Sequence, residues 1–310
     1  MPNRLLNRIG TFRLLQVMKA VADHRSISAA AQALHLTQPT VSMQLAKLAE
    51  AVGAPLYEVV GRQIYLTEAG WLVVGCATEV LDAVERLDSA VGDLSGLKRG
   101  RIRFGVVTTA KYFLPHLLGP FCKQYPEIDI ELNVGNRQHI IDRLRDNKDD
   151  LYVFSHPPES LDIAIDEFLE NPLSVIAPLG HPLLARRAIP FSELAEHPLI
   201  LRESGSGTRH AIEAHFRQHN RTVKEKMTIE SNEAIKHAVM AGLGIGILSE
   251  HTLSQGDTAQ LARVDVEGFP ILHHWYWVHR KGKRFSLAVE HFLASIKDRE
   301  PSLITKPFVG

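Results

Sequence analysis

Residues 26–48 read S-I-S-A-A-A-Q-A-L-H-L-T-Q-P-T-V-S-M-Q-L-A-K-L, and residues 56–66 read L-Y-E-V-V-G-R-Q-I-Y-L. The pattern is two short helices joined by a three-residue turn, then a small hairpin: a helix-turn-helix with a wing. Ser26 or Ser28 can cap the first helix, and its run of alanines allows close helix–helix approach. His35, Leu36 and Thr37 make the turn. Thr37 caps the second helix, and Pro39 lies in its first turn, where a missing N–H costs little. Val41, Leu45 and Leu48 fall on one face at i, i+4 and i+7 and are expected to pack inward.

The outward face suits DNA. Pro39, Thr40, Met43 and Lys47 lie on it, with Gln38 and Gln44 at its margins. Glutamine offers adenine a bidentate pair, Thr40 and Met43 can touch thymine methyls, and Ser42 or Lys47 can reach phosphates. Ser28, Thr37 and Arg62 complete the expected DNA-binding set. No Asp or Glu occurs from His24 to Ala49, so no carboxylate repels phosphate there. A capped two-helix core element is the simpler alternative. Turn, cap, proline and polar face together favour a recognition helix in the major groove of double-stranded promoter DNA.

At 310 residues the chain can build two or three cores. Its formal net charge is +0, so DNA binding has to come from a local patch multiplied by oligomerisation. Only Cys76 and Cys122 are present, without a C-x-x-C, so neither a disulfide framework nor a cysteine metal site is expected. The N-terminus has no long apolar stretch, and no uncharged apolar run approaches ~20 residues. A soluble, cytoplasmic protein without a membrane partner is expected.

Between Thr67 and Leu97, Val73, Ala77, Val80, Val84, Leu87, Val91 and Leu94 are spaced 4, 3, 4, 3, 4 and 3, the heptad of a coiled-coil seam. A helix of ~30 residues extends ~45 Å, more than a small N-terminal domain can cover. A dimerisation helix is favoured over a surface helix packed on its own chain. Gly96, Lys98, Arg99 and Gly100 then form a linker.

Beyond it the rhythm becomes R-I-R-F-G-V-V (strand), a helix at 114–125, I-D-I-E-L-N-V (strand), a helix at 138–147 and L-Y-V-F (strand). That alternation argues an α/β domain with a largely parallel sheet. A second unit repeats the pattern through P-L-S-V-I-A-P, H-P-L-I-L, a helix at 208–219, M-T-I-E, a helix at 232–241 and G-I-G-I-L-S. H-H-W-Y-W-V-H and a helix at 285–297 close the chain.

Ligands of open α/β sheets bind beyond the carboxyl ends of strands. In the first unit that places Thr108, Thr109 and Lys111 after one strand and Ser155 and His156 after another. In the second, E-S-G-S-G-T-R opens a helix, where Ser206, Gly207 and Thr208 offer hydroxyls and free N–H groups that favour anions. Arg202 and Arg209 add positive charge, and Asn232 starts the next helix. Each Ser or Thr taken singly is a helix cap; the set points to a cleft for a small phosphorylated or carboxylated metabolite. Weaker patterns carry less. G-L-G-I-G lacks the dinucleotide spacing, S-G-S-G is no nucleophile elbow, and His273, Trp275, Trp277 and His279 share a strand face that suits packing better than a metal. Arg280, Lys281, Lys283 and Arg284 read as a solvated basic turn, or one facing DNA or a neighbouring subunit.

A-A-A-Q-A-L-H-L-T-Q-P-T-V-S-M-Q-L, P-L-Y-E-V-V-G-R and L-T-E-A-G resemble the LysR-type transcriptional regulators, and the resemblance covers essentially the whole chain. Within that family T-Q-P-T-V-S-M-Q, G-V-V-T-T-A-K-Y-F-L-P, D-D-L-Y and E-S-N-E-A-I-K are most similar to regulators of Calvin-cycle, carbon dioxide fixation operons. Val59 and Met43 depart from the wing and recognition-helix arginines of many relatives, which implies fewer phosphate contacts. Met43 fits the carbon-fixation subgroup. The resemblance implies an N-terminal all-α winged helix-turn-helix over 1–66, a linker and dimerisation helix over 67–97, and an α/β effector domain over 98–310. The last has two periplasmic-binding-protein-like lobes, one at about 101–165 with 270–297 and the other at about 166–269.

The expected function is metabolite-responsive, sequence-specific transcriptional regulation of carbon dioxide fixation genes, without enzymatic activity or a resident cofactor. The expected effector is small and anionic, a sugar phosphate or a nicotinamide nucleotide. Expected partners are promoter DNA, further copies of the chain in a dimer or tetramer, and RNA polymerase. The rival readings are a LysR-type regulator of nitrogen or aromatic metabolism, a solute-binding protein, and an enzyme on the two lobes. The enzyme reading lacks a nucleophile–base constellation.

Overall fold

The computed structural model describes residues 12–61, 63–94, 99–254 and 258–297. The chain divides into two units, Met1–Gly96 and Leu97–Gly310. Arg62, placed in the DNA-binding set, lies outside the described residues, as does the side chain of Leu94.

Among the described residues of the first unit, a helix precedes the motif. α1 (Phe12–His24) repeats apolar residues at i, i+3, i+4 and i+7, and buries Leu14, Val17, Met18 and Val21. Ser26 accepts the Ala29 N–H and starts α2 (Ile27–Ala33). Thr37 accepts the Thr40 N–H and starts α3 (Gln38–Val52), which ends at Gly53 in the left-handed region. Val41, Leu45 and Leu48 are fully buried against α1 and α2, as the sequence spacing requires. β1 (Tyr57–Val60) and β2 (Gln63–Leu66) pair antiparallel as the wing.

α4 (Glu68–Leu94) follows. Thr67 donates to the Pro55 carbonyl (2.6 Å) and accepts the Gly70 N–H (3.0 Å), fixing the helix against the turn before the wing. A Cβ at residue 70 would run into the Leu56 carbonyl, so L-T-E-A-G needs its glycine. The burial along α4 divides the residues of the expected seam. Ala77 is 0 % exposed and Val73 is half-buried on the helix-turn-helix core, because α1 and α4 pack together there. The open apolar stripe instead runs through Leu72 (72 % exposed), Cys76, Val80, Ala83, Leu87 (64 %) and Val91, with Val84 at its margin. Val73 and Ala77 thus face the chain's own core, and Leu72 and Cys76 stand in solvent.

The second unit has two five-stranded sheets. In the first lobe, β3 (Gly100–Val107), β4 (Ile128–Gly135) and β5 (Leu151–Phe154) are parallel. β6 (Ile163–Glu170) and the returning β12 (His274–Arg280) complete the order β4-β3-β5-β12-β6, with β12 antiparallel to both neighbours. α5 (Leu114–Gln124) and the final α11 (Leu287–Lys297) cover one face around Phe104, Phe121, Trp275, Trp277 and Phe292. α6 (Arg137–Arg145) covers the other around Ile140, Leu144, Tyr152 and Phe154.

The second lobe holds β7 (Leu173–Pro178), α7 (Phe191–Leu194), β8 (Leu199–Leu201), α8 (Gly207–Gln218), β9 (Glu225–Thr228), α9 (Asn232–Met240), β10 (Ile245–Ser249), α10 (Glu250–Leu253) and β11 (Leu261–Arg263). Its sheet runs β11-β7-β10-β8-β9, with β7 antiparallel to β10 and β11. In each sheet four strands run the same way and one is reversed: β7 and β12, the strands that enter a lobe from the other one, run against their neighbours.

β6 belongs to the first sheet, so the outward crossing falls at Asn171 and Pro172 rather than near residue 165. Leu173 and Ile271 bridge the two crossing strands, which moves the return to 271–273. Asn171 is buried there and accepts from the Ser249 hydroxyl at 2.6 Å.

Two charged features are buried, one of them in the turn expected to be solvated. Asp149 of D-D-L-Y is fully buried and takes two hydrogen bonds from Arg143, at 2.5 and 2.8 Å. Lys283 of the basic turn is not solvated: it donates to the Asp149 carbonyl (2.8 Å) and to Asn147 (3.0 Å). Among the described residues no helix is long and apolar enough to cross a membrane.

Candidate DNA-binding helix and effector cleft

α3 presents Thr37, Gln38, Pro39, Met43 and Lys47 to solvent, with Met43 65 % exposed. Ser28 donates to Gln38 Oε1 at 3.3 Å, which steadies the amide and leaves its NH₂ outward. The Thr37 and Thr40 hydroxyls bond each other at 2.8 Å. Thr40, Ser42 and Gln44 are half-buried. Gln44 is less available than its spacing suggested: its Oε1 is buried and lacks a hydrogen-bond partner among the described residues. Gln38, Met43 and Lys47 are therefore the best-placed groups for base edges and phosphate. On the wing, Val59 and Val60 are exposed and apolar.

The second unit carries a cleft at the strand ends of both lobes. Including its open mouth it takes up about 260 Å³, and Thr108, Thr109, Ser155, Ser206, Gly207 and Thr208 line it together. The Thr108 hydroxyl donates to the Gly135 carbonyl (3.1 Å). Thr109 accepts from Asn232 (3.0 Å), so its own proton is left for a ligand. Ser206 precedes α8 without a capping side-chain bond, so the first N–H groups of a 12-residue helix stay open. A Cβ at residue 207 would strike the Ser155 hydroxyl across the cleft, so any side chain there takes up cleft space.

Arg202, 4 % exposed, forms part of the wall. It forks onto Glu203 at 2.7 and 2.9 Å and donates to Asn232 Oδ1 at 2.6 Å. Asn232 sits behind the wall and joins Arg202 of one lobe to Thr109 of the other. Beside this bridge Tyr112 donates to Glu233 at 2.7 Å, and the buried Lys236 pairs with the same carboxylate at 2.8 Å. Burial acts to raise the Glu233 carboxyl, but the bonds from Lys236 and Tyr112 outweigh it and hold it below the usual range. Burial and the Glu233 carboxylate push the Tyr112 phenol up.

Three expected effector residues lie elsewhere. Lys111 is exposed with its ammonium 5.0 Å from the Tyr112 ring centre, outside the cleft wall. Arg209 and His156 line a separate outer groove between α6 and α8. Arg209 is held there by Glu213 and Glu225, both at 2.7 Å, so its charge is neutralised. His156 stacks on His210 with ring centres 3.8 Å apart. Burial, followed by the neighbouring His210 and Arg137, brings its pKa down to about 4, so it offers no positive charge at neutral pH.

Sequence reasoning missed Asn136, Arg137 and Glu203, all in the cleft wall. Asn136 caps α6 directly after β4, a strand end like those that carry Thr108 and Ser155. Arg137 donates its Nε to the His156 carbonyl at 3.0 Å. Trp275 and Trp277 pack into the first lobe's core, the packing reading of that strand face.

Residues 12–71 match the family model described as bacterial regulatory helix-turn-helix protein, lysR family, and residues 95–301 match the LysR substrate binding domain. The HTH-type transcriptional activator CmpR of a Synechocystis strain is 49 % identical over 91 % of this chain and 93 % of its own length. A RuBisCO operon transcriptional regulator of Acidithiobacillus ferrooxidans is 42 % identical over 92 % and 93 %. Among solved structures, the regulatory domain of Synechocystis CcmR in complex with 2-PG is 44 % identical with a TM-score of 0.60. It covers 63 % of this chain and 95 % of that domain.

Proposed function

The chain belongs to the LysR family of bacterial helix-turn-helix regulators, and we propose that it regulates carbon dioxide fixation genes in response to a small phosphorylated acid. The observation that carries the effector reading is the cleft: hydroxyls from both lobes, the uncapped start of α8, Arg137 and Arg202 converge on one narrow opening. An anion there meets N–H groups at a helix's positive end and charge-assisted donors. The CcmR domain in complex with 2-PG supports 2-phosphoglycolate as the first ligand to test. The relatives named for the RuBisCO operon support the pathway. α3 reads promoter DNA, and the exposed stripe of α4 pairs two copies so that two recognition helices meet successive half-sites. Effector binding changes the DNA complex to the extent that it favours one lobe closure over another.

Calorimetry of the full chain with 2-phosphoglycolate tests this. Saturable binding is expected for the native sequence, and more than about tenfold weaker binding for Gly207→Val, whose side chain fills the cleft at Ser155 (a loss of at least ~1.4 kcal/mol). Absence of binding by the native chain, or an unaffected Gly207→Val, contradicts the reading.

A further inference from the structure

Arg202 is the cleft's most deeply buried cation, yet its bidentate edge is already taken. Nε and Nη2 face the two carboxylate oxygens of Glu203 at 2.7 and 2.9 Å, the fork that an incoming carboxylate or phosphate would itself make. Nη1 is committed to Asn232. Glu203 is in the cleft wall, next to the open start of α8, and its carbonyl accepts the Ser206 N–H at 3.2 Å. The charged residues lining the cleft are thus Arg137, Arg202 and Glu203, two cations against one anion. A phosphorylated acid brings a carboxylate and a phosphate of about −1.5 to −2. It either displaces Glu203 from Arg202 or finds the bidentate edge of Arg202 closed to it, with the guanidinium charge already offset by the Glu203 carboxylate.

We propose that Glu203 is a built-in competitor for the effector's acid group, occupying the bidentate edge of Arg202 and setting the effector concentration to which the protein responds. The proposal rests on the reading of the cleft as an anion site. Effector entry becomes an exchange of one acid for another at Arg202. Because Arg202 also holds Asn232, and through it Thr109 of the opposite lobe, the exchange takes place on the bridge that joins the lobes. A residue that merely braced Arg202 would weaken ligand binding when removed; a competitor strengthens it.

The test is a calorimetric titration of 2-phosphoglycolate into the full native chain, Glu203→Gln and Glu203→Ala, each first checked for an intact thermal transition. Glu203→Gln keeps the size and removes the charge; Glu203→Ala serves if the glutamine variant does not fold. Binding at least about tenfold tighter than native is expected, with the effector-dependent change in DNA binding moved to correspondingly lower concentration. Equal or weaker binding by a folded variant overturns the competitor role and leaves the anion cleft standing. If neither native nor variant protein binds the ligand, the cleft reading fails and the competitor role falls with it.

Discussion

Gln38→Ala is expected to lower affinity for the specific operator by roughly 5- to 150-fold per half-site, the ~1–3 kcal/mol of a bidentate base contact, while binding to unrelated DNA stays nearly unchanged. Gln38 is exposed at the first turn of α3 and is steadied by Ser28, so little side-chain ordering remains to be done on DNA. The substitution touches no buried contact, so the fold and melting temperature should hold. Lys47→Ala makes the contrast: it should weaken binding to all sequences alike and reduce the salt dependence by about one phosphate contact. Gel retardation at two salt concentrations, with operator and scrambled duplexes, separates the two. A Gln38→Ala protein that still prefers its operator as strongly as the native chain would remove α3 as the reading helix.

Leu72→Asp combined with Leu87→Asp is expected to convert the dimer to monomers. Both side chains stand mostly in solvent on one stripe of α4, and each is worth about 1.5–3 kcal/mol when covered by a partner. An aspartate in a closed seam adds the cost of an unpaired buried charge. Together these exceed roughly 5 kcal/mol, a shift in dimer dissociation constant beyond about a thousandfold. Light scattering at micromolar protein should report the monomer mass. The same pair at Val73 and Ala77 should instead unfold the helix-turn-helix, because those positions serve its own core. An unchanged mass for the Leu72/Leu87 variant refutes the stripe as the seam.

The helix-turn-helix was legible because every local signal agreed: two caps, a proline in the first turn and three inward apolar positions. The lobes were legible from their strand–helix alternation. Which face of α4 the chain itself covers was not legible, because Ala, Val and Leu are frequent enough along α4 to satisfy two heptads, and the packing of α1 is what buries Ala77. The strand β6 was missed since its partner, β12, lies over a hundred residues later in the chain. In the cleft, strand-end hydroxyls could be placed from sequence alone. Whether an arginine is free could not: Arg209 is neutralised by Glu225, sixteen residues away, and Arg202 by its neighbour Glu203. A carboxylate nearby in sequence does not say which way the pair faces, so Arg202 and Arg209 looked equivalent when only one of them faces the cleft.

On the proposed function, a small anion in the second unit changes how the first unit holds DNA. The direct measurement is a nuclease footprint of the full chain on the promoter of a carbon dioxide fixation operon, with and without saturating 2-phosphoglycolate. The expected result is a specific footprint in both cases, with an altered length or hypersensitive pattern when the ligand is present, and no alteration for Gly207→Val. Identical footprints with and without ligand, from a native protein whose ligand binding has been established in the same buffer, would contradict it.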